Sequence, residues 1–358
     1  MYRKYFAALL TLLIFSAASS VISAQEDNIG DRITDTLALE IDLFNSSEPA
    51  SISLKFDIRK FLRNKNEDKY MDAILIYNFG DSINIEKEIR VKPRGNNRRE
   101  VCRFPPILIN IKKSKLNITS LADIDKIKFV THCIELEANN NNVLKEYLVY
   151  KMYNLISPYS FKVRLAKVNY IDTGRDNREY TGWGFFIEPE EMLAERVEAF
   201  PLKTDFMSYK NTEAGITDIM SMFQYLIGNA DYSILGRQNI KLLKLKDSDF
   251  KYPIPVPYDF DYSGFVNASY AIPGDNLGIK SVRERYFLGP CRTEERFEEI
   301  NDYFFDIKDE LYSLILSFEY LDDRTKRHSI DYLDQYYMQA QKNKYIQQYL
   351  LSSCRDTL

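Results

Sequence analysis

The chain changes its hydrophobic period about halfway along, and this change limits the fold more than any other feature. Up to about residue 188 most segments alternate apolar and polar residues, which is typical of strands with one solvent-facing side. The predicted strands of this half cover 37–44, 51–56, 71–77, 83–91, 107–111, 126–133, 161–172 and 180–187. The sequence therefore predicts a β-rich first half, with a single long helix over 140–156 and a helical turn within 57–66.

After residue 189 the apolar residues recur mainly at helical spacing. Helices are predicted over 190–198, 215–227 and most of the chain after 293, and two short strands over 239–245 and 254–258. We therefore expect an α+β protein in which residues 25–188 form the β-rich part. Residues 189–358 then form the mainly helical part.

The first 24 residues have the pattern of an export signal. Arg3 and Lys4 precede ten apolar or small residues at 6–15, and small residues lead to a cleavage site after Ala24. No cysteine directly follows the apolar stretch, and no later run reaches the roughly 20 apolar residues that span a bilayer. We expect a signal peptide over 1–24 and an exported mature chain, periplasmic or extracellular, without a transmembrane segment.

Composition excludes several classes of protein. The chain has 48 basic and 52 acidic residues, a net charge of −4, which argues against a nucleic-acid partner held by a basic surface. With 45% hydrophobic and 14% aromatic residues, it is neither disordered nor fibrous.

The cysteine and histidine content limits the disulfides and the metal sites that this chain can form. The cysteines are Cys102, Cys133, Cys291 and Cys354. They permit two disulfides in three pairings, and Cys102 with Cys133 is favoured because both flank strands of the same half. With only His132 and His328, a histidine-rich metal centre is excluded. We interpret His132 as a packed structural residue.

Two acid-bearing turns separated by a short apolar hairpin lie between residues 228 and 264. Asp231 belongs to the first turn, Asn239 follows it, and Asp259 and Asp261 belong to the second. Phosphoryl transfer needs a carboxylate that orients or deprotonates the acceptor hydroxyl, together with oxygen ligands for Mg²⁺. The turns therefore predict a metal and phosphate site. The alternative is that they are a helix end and a turn of ordinary composition.

A basic turn and a lysine-bearing strand are the other candidates. Residues 92–99 place four positive charges around a proline and a glycine, and Arg94 and Gly95 are suited to phosphate oxygens. A solvated basic hairpin is the alternative. Lys126 and Lys128 precede a helix carrying Glu146, an order that suits a lysine–glutamate pair gripping phosphates. Surface lysines and a solvent-facing acid explain it equally well.

In their order over residues 94–261, these motifs resemble those of the CotH-type atypical kinases, most closely a group of exported relatives. The residues that carry the resemblance are Arg94-Gly95-Asn96, Lys126-Ile127-Lys128, Glu146, Gly228-Asn229-Ala230-Asp231, Asn239 and Asp259-Phe260-Asp261. The resemblance implies a protein-kinase-like two-lobed fold, with a β-rich N-terminal lobe and a mainly helical C-terminal lobe that carries the acidic turns.

It also implies roles for the acids. Asp231 would be the catalytic base, with Asp259 and Asp261 as metal ligands and Asn239 as a further ligand. Two departures weaken the match: eight residues rather than five separate Asp231 from Asn239, and no histidine precedes Asp231 as in the kinase motif.

The resemblance implies a nucleotide site as well. Lys128, or failing that Lys126, would hold the phosphates and pair with Glu146, while Arg94 and Gly95 would lie over the phosphates.

The sequence is consistent with two functions. The first is an exported atypical kinase that uses Mg²⁺ or Mn²⁺ to transfer a phosphoryl group from a nucleotide, ATP, to a protein or small-molecule hydroxyl. The second is a catalytically inactive kinase-fold protein with a binding or structural part in the cell envelope. Retention of three closely spaced carboxylates favours the first. The scarcity of ATP outside the cytoplasm favours the second.

Overall fold

The computed structural model describes residues 43–79, 83–95, 97–111, 125–133, 140–246 and 249–355. The predicted signal peptide and most of the predicted strand over 37–44 lie outside these residues. The strands are β1 (Ala50–Phe56), β2 (Met71–Phe79), β3 (Ile83–Pro93), β4 (Ile107–Ile111), β5 (Lys126–Val130), β6 (Val163–Asp172), β7 (Arg178–Ile187), β8 (Ala199–Pro201), β9 (Ile240–Leu245) and β10 (Ile254–Pro257). The α-helices are α1 (Ile58–Arg63), α2 (Asn97–Val101), α3 (Asn140–Ile156), α4 (Glu190–Arg196), α5 (Ala214–Leu226), α6 (Glu294–Asp306), α7 (Lys308–Leu316) and α8 (Asp323–Ala340). Short 3₁₀ turns lie at Tyr209–Asn211 and Asp275–Leu277, and a π-helical turn at Ile346–Leu351.

The first seven strands form a closed barrel in the order β1-β2-β3-β4-β5-β7-β6. Strand β1 is antiparallel to β2 and parallel to β6, and the other neighbours are antiparallel. The alternation in the sequence determines the buried face, because successive side chains of a strand point to opposite sides. On β1, for example, Ile52, Leu54 and Phe56 are buried in the barrel core.

The expected kinase-like two-lobed fold is wrong. In place of a sheet-bearing lobe, the N-terminal region is a closed, seven-stranded mixed barrel. Parallel pairing of β1 with β6, from Ala50 opposite Ala166 to Phe56 opposite Asp172, closes the barrel. Alternation identifies a strand and its buried face, but it does not identify which distant strand completes the ladder. That choice belongs to the tertiary structure.

A second, three-stranded sheet in the order β10-β9-β8 positions the acidic turns. Strands β9 and β10 are antiparallel, with Ile240 opposite Pro257. The residues just outside this pair are therefore neighbours, and the Tyr258 N–H donates to the Asn239 carbonyl oxygen at 3.0 Å. The apolar helix α5 contacts β10 and α6 and ends directly before the first acidic turn.

Helix α3, which has the bounds predicted from its period, connects the barrel to the helical part of the chain. It contacts β6 and β7 of the barrel and α7 of the C-terminal half. Leu148 and Met152 are fully buried in the larger of the two hydrophobic clusters, whereas most barrel side chains form the other. The helix therefore packs its buried side chains into the larger cluster, against β6 and β7.

Disulfides join Cys102 to Cys133 and Cys291 to Cys354, which confirms the favoured pairing of the first two cysteines. In the part of the chain that the structure describes, no helix combines the length and the apolar character needed to cross a bilayer.

Candidate functional site

The first acidic turn is built by the end of α5. Gly228 has a left-handed backbone with φ of 64°, which glycine adopts without a Cβ clash. The Asn229 N–H then donates to the Gln224 carbonyl at 2.8 Å. The Asp231 N–H donates to the Asn229 side-chain oxygen at 3.1 Å. These bonds position Asp231 immediately after the helix.

Asn239, eight residues beyond Asp231, contacts it directly. Its side-chain amide donates to the Asp231 carbonyl at 2.7 Å and to Oδ2 at 3.0 Å. The Gln238 amide donates to the other carboxylate oxygen, Oδ1. Both oxygens of Asp231 are therefore oriented by amide donors, and the longer spacing is accommodated by a turn that returns through the Ser233–Gln238 bridge.

The second acidic turn is tied to helix α3. Asp259 has a left-handed φ of 65°, and its N–H donates to the Tyr150 hydroxyl at 2.8 Å. The sequence pattern did not single out Tyr150. It contributes because the fold brings α3 next to the second acidic turn, where the Tyr150 ring also packs against Phe260.

A buried arginine lies among three carboxylates. Arg98 Nε is 2.6 Å from Asp261 Oδ2, and its Nη2 is 2.8 Å from Glu146 Oε2 and 3.1 Å from Asp259 Oδ1. Side-chain exposure is 6% for Arg98, 3% for Glu146 and 5% for Asp261, against 28% for Asp259. Asp259 is therefore the member of this cluster that faces outward.

The same three carboxylates form a candidate metal site. One oxygen from each of Glu146, Asp259 and Asp261 lies within 4.8 Å of the others. Glu146 Oε1 is buried and has no hydrogen-bond partner among the described residues. Hard carboxylate oxygens are the ligands that Mg²⁺ and Mn²⁺ prefer. The donor chemistry fits such an ion, although Arg98 competes for the same oxygens.

Burial and neighbouring charges shift the pKa values of the carboxyl groups in different directions. Burial, together with the charges of Asp259 and Asp261, raises the pKa of Asp231 to about 7. Burial and the nearby Asp259 also raise the pKa of Asp261, against the effect of Arg98. Burial opposes ionisation of Asp259, but Arg98, Arg94 and Lys128 outweigh it and lower its pKa. Asp231 thus combines a pKa near neutrality with an ionised neighbour.

The predicted phosphate-binding residues Lys128 and Arg94 lie near Asp259. Lys128 Nζ is 4.5 Å from the centre of the Tyr258 ring, while Lys126 is exposed. Burial, with the charges of Arg94 and Lys241, lowers the pKa of Lys128 to about 7. The charges of Arg94 and Lys128 both act on Asp259. The partner of Glu146, however, is Arg98 rather than the expected lysine.

The basic turn is not a solvated hairpin. Its end forms the short helix α2, and Arg98 points inward with only 6% of its side chain exposed. Gly95 has a φ of 85°, and a Cβ there would lie 3.3 Å from Arg98 Cβ. The sequence marked this turn as basic, but four charges in eight residues do not reveal which one is buried.

Asp231 opens onto a cavity of about 480 Å³. Gln238, Tyr262, Ile272 and Arg355 also line it, so polar and apolar groups both surround the carboxylate. The structure therefore brings together Asp231, Asn239, Asp259, Asp261, Glu146 and Lys128, with the charge of Arg94 acting on Asp259 and Gly95 beside Arg98.

No protein-family model matches this chain, and no curated protein gives a significant match.

Proposed function

We propose that this chain catalyses metal-dependent phosphoryl transfer from a nucleoside triphosphate to a hydroxyl group. One observation carries the proposal. Asp231 lies at the wall of a cavity, and burial, together with the charges of Asp259 and Asp261, raises its pKa to about 7. A carboxylate with a pKa near the working pH is suited to take the proton of an acceptor hydroxyl.

Each of the site residues has a separate role in the reaction. Asp231, held by Asn239 and Gln238, accepts the hydroxyl proton as the acceptor oxygen bonds to the γ-phosphorus. The bond to the bridging oxygen breaks, and the nucleoside diphosphate leaves. Lys128 and Arg94, whose charges reach Asp259, are suited to hold phosphate oxygens. A low pKa keeps Asp259 ionised throughout.

A divalent cation belongs to this chemistry. Asp259, Asp261 and Glu146 would hold it, since they offer three carboxylate oxygens within 4.8 Å of one another. When bound, Mg²⁺ or Mn²⁺ supplies charge neutralisation for the transferred group and the leaving diphosphate.

The test measures ADP release from ATP by the intact chain. Water accepts the phosphoryl group where no other hydroxyl is present. We expect release that depends on Mg²⁺ or Mn²⁺ and falls by at least about 100-fold in Asp259→Ala, because the outward-facing ligand is lost. Asp231→Asn should lose turnover but retain the rise in melting temperature with Mg-ATP, since the phosphate-binding residues remain. Asp302→Asn, an exposed acid on α6, is the matched control.

Two results would remove the proposal. The first is a melting temperature that neither a nucleotide nor a divalent cation changes. The second is equal ADP release by Asp259→Ala and the unaltered chain, with circular dichroism showing both folded.

A second candidate is a non-catalytic binding or structural protein, and the triple contact of Arg98 favours it. A guanidinium bonded to Glu146, Asp259 and Asp261 satisfies these acids without any metal. Under this function Mg²⁺, Mn²⁺ and ATP leave the melting temperature unchanged, so the same titration separates the two candidates.

We also propose that the chain acts outside the cytoplasm and that its motifs derive from CotH-type relatives. Two disulfides support an oxidising compartment. Fractionation of the expressing cell, with the mature N-terminus sequenced, tests export and cleavage after Ala24.

A further inference from the structure

A second concave site lies on the barrel, away from the acidic turns. It has a volume of about 420 Å³ and shares no lining residue with the cavity beside Asp231. Its walls come from α1, the segment before β4, and the hairpin that joins β6 to β7. None of these residues takes part in the proposed transfer reaction.

Four arginines surround this site. Arg59 comes from α1, Arg103 precedes β4, and Arg175 and Arg178 belong to the β6–β7 hairpin. All four are exposed, and Arg59 and Arg103 have no carboxylate partner within the described ranges. Such a local excess of positive charge is unexpected in a chain with a net charge of −4.

The lone acid in the wall does not neutralise these arginines. Asp172 is 1% exposed, and its Oδ1 accepts the backbone N–H groups of Ile58 and Gly174, each at 3.0 Å. Its Oδ2 is 3.9 Å from Arg175 Nε, a loose contact. Asp172 therefore anchors the wall, and the guanidinium groups remain able to bind an anion.

The inner wall is aromatic. The Phe104 and His132 rings are stacked at 4.8 Å, and the Tyr170 ring meets Phe104 edge-on at 5.1 Å. Tyr180 completes the lining, with Arg178 5.3 Å from its ring centre. Ile58 adds a further apolar surface. A planar, partly apolar group fits such a wall, because flat rings pack against aromatic faces and leave the polar groups at the rim.

We propose that this pocket binds an organic anion in which a planar ring carries a phosphate or carboxylate group. The ring lies against Phe104 and Tyr180, and the anion accepts hydrogen bonds from two or more of the arginines at the rim. The assignment is independent of the proposed phosphoryl transfer, because the two sites have no residue in common.

Isothermal titration calorimetry on the intact chain tests this assignment with four probes. Phenyl phosphate and benzoate carry both ring and anion, inorganic phosphate carries the anion alone, and phenol carries the ring alone. We expect phenyl phosphate or benzoate to bind at least about tenfold more tightly than inorganic phosphate and phenol, because two kinds of contact act together. The stronger of the two ring-bearing anions identifies the acid group.

Variants locate the binding. Arg103→Ala and Arg178→Ala should each weaken binding by about tenfold, the effect of one charge-assisted hydrogen bond. Arg63→Ala removes an exposed arginine from the last turn of α1 that does not line the pocket, so it should bind like the unaltered chain.

Two outcomes overturn the assignment: ring-bearing anions that bind no better than inorganic phosphate, or affinities that Arg103→Ala and Arg178→Ala leave unchanged. Both variants alter exposed side chains, so a loss of folding does not obscure the result. Thermal melts of each variant verify this.

Discussion

At the scale of single residues, the most consequential side chain is Arg98, one cation among three carboxylates. Its contacts reach Glu146, 48 positions away, and Asp261, 163 positions away. Removing the positive member of a buried ionic cluster leaves uncompensated charge, which is far more costly than losing an exposed pair. Arg98 therefore stabilises the junction of barrel and helices and limits access to the same oxygens.

Arg98→Met should test both effects. In the absence of metal we expect the free energy of unfolding to fall by about 3–5 kcal/mol, because Glu146, Asp259 and Asp261 lose their counter-ion. Added Mn²⁺ should raise the melting temperature of the variant more than that of the unaltered chain, since a cation then replaces the guanidinium.

Arg99→Met is the control for Arg98→Met, because among the residues that the structure describes the Arg99 side chain donates only to the Gly95 carbonyl. Equal Mn²⁺ responses in Arg98→Met and the unaltered chain would mean that Arg98 does not compete with the ion for the three carboxylates.

His132 gives a pH-dependent stability of defined sign. Burial lowers the pKa of His132 to about 4, so the folded chain keeps the ring neutral where the unfolded chain, with a pKa near 6.5, takes up a proton. Stability is therefore complete above pH 6.5 and decreases as the pH falls toward about 4. Between pH 7.5 and pH 5 the loss is about 2 kcal/mol.

His132→Phe should remove that component, because phenylalanine retains the stacking on Phe104 but does not titrate. Urea unfolding at pH 7.5 and pH 5 measures the difference, and His328→Gln, at the exposed second histidine, should retain the full dependence. A dependence that His132→Phe leaves intact would assign the acid sensitivity to other groups.

At the scale of elements, the site depends on a helix end and a two-stranded hairpin. Helix α5 delivers Asp231, and β9 with β10 brings Asn239 beside the segment that carries Asp259. The turn after α5 is packed closely against α8: a Cβ on Gly228 would lie 1.9 Å from the Tyr332 hydroxyl oxygen and 3.2 Å from Cζ. Both the left-handed φ of 64° and this contact require glycine.

Gly228→Ala should therefore destabilise the chain by more than about 2 kcal/mol, from backbone strain and the clash together. Tyr332→Phe deletes the hydroxyl oxygen that would lie 1.9 Å from the new Cβ. Gly228→Ala should therefore lower the free energy of unfolding by less in that background. Urea unfolding of the four proteins of this double-mutant cycle measures the coupling. A coupling near zero would mean that only backbone strain matters.

At the scale of the whole molecule, distant parts of the chain complete the cavity beside Asp231. The Cys291–Cys354 disulfide ties the C-terminal segment to the loop before α6. Next to it, the Arg355 N–H donates to the Gly289 carbonyl at 2.8 Å, and Arg355 lines the cavity. The end of the described chain thus contributes to the wall around a carboxylate more than a hundred residues earlier.

Replacing both cysteines, Cys291→Ser with Cys354→Ser, should lower the free energy of unfolding by about 2–4 kcal/mol, because the unfolded chain loses a cross-link over 63 residues. A reducing agent should then lower the melting temperature of this variant less than that of the unaltered chain. A variant that melts as the unaltered chain does would mean that this disulfide does not contribute to the stability of the fold.

Much of the secondary structure and some of the site were predictable from local sequence. Period-two alternation identified most barrel strands, and the helical period identified α3 with its bounds at Asn140–Ile156. The turns carrying Asp231, Asp259 and Asp261 were recognisable because glycine, asparagine and aspartate cluster between apolar runs. These signals depend on neighbouring residues, so they can be detected in the sequence without knowledge of the fold.

Only the tertiary structure decided the architecture and the partners. The closure of β1 on β6, which contradicts the kinase-like lobes, depends on a ladder between distant strands. The choice of Arg98 as the partner of Glu146 depends on which of several arginines is buried. The sequence by itself determined the elements and the chemistry available in its turns, since both follow from neighbouring residues. Long-range pairing and burial determined which of those groups meet, because they depend on the whole chain at once.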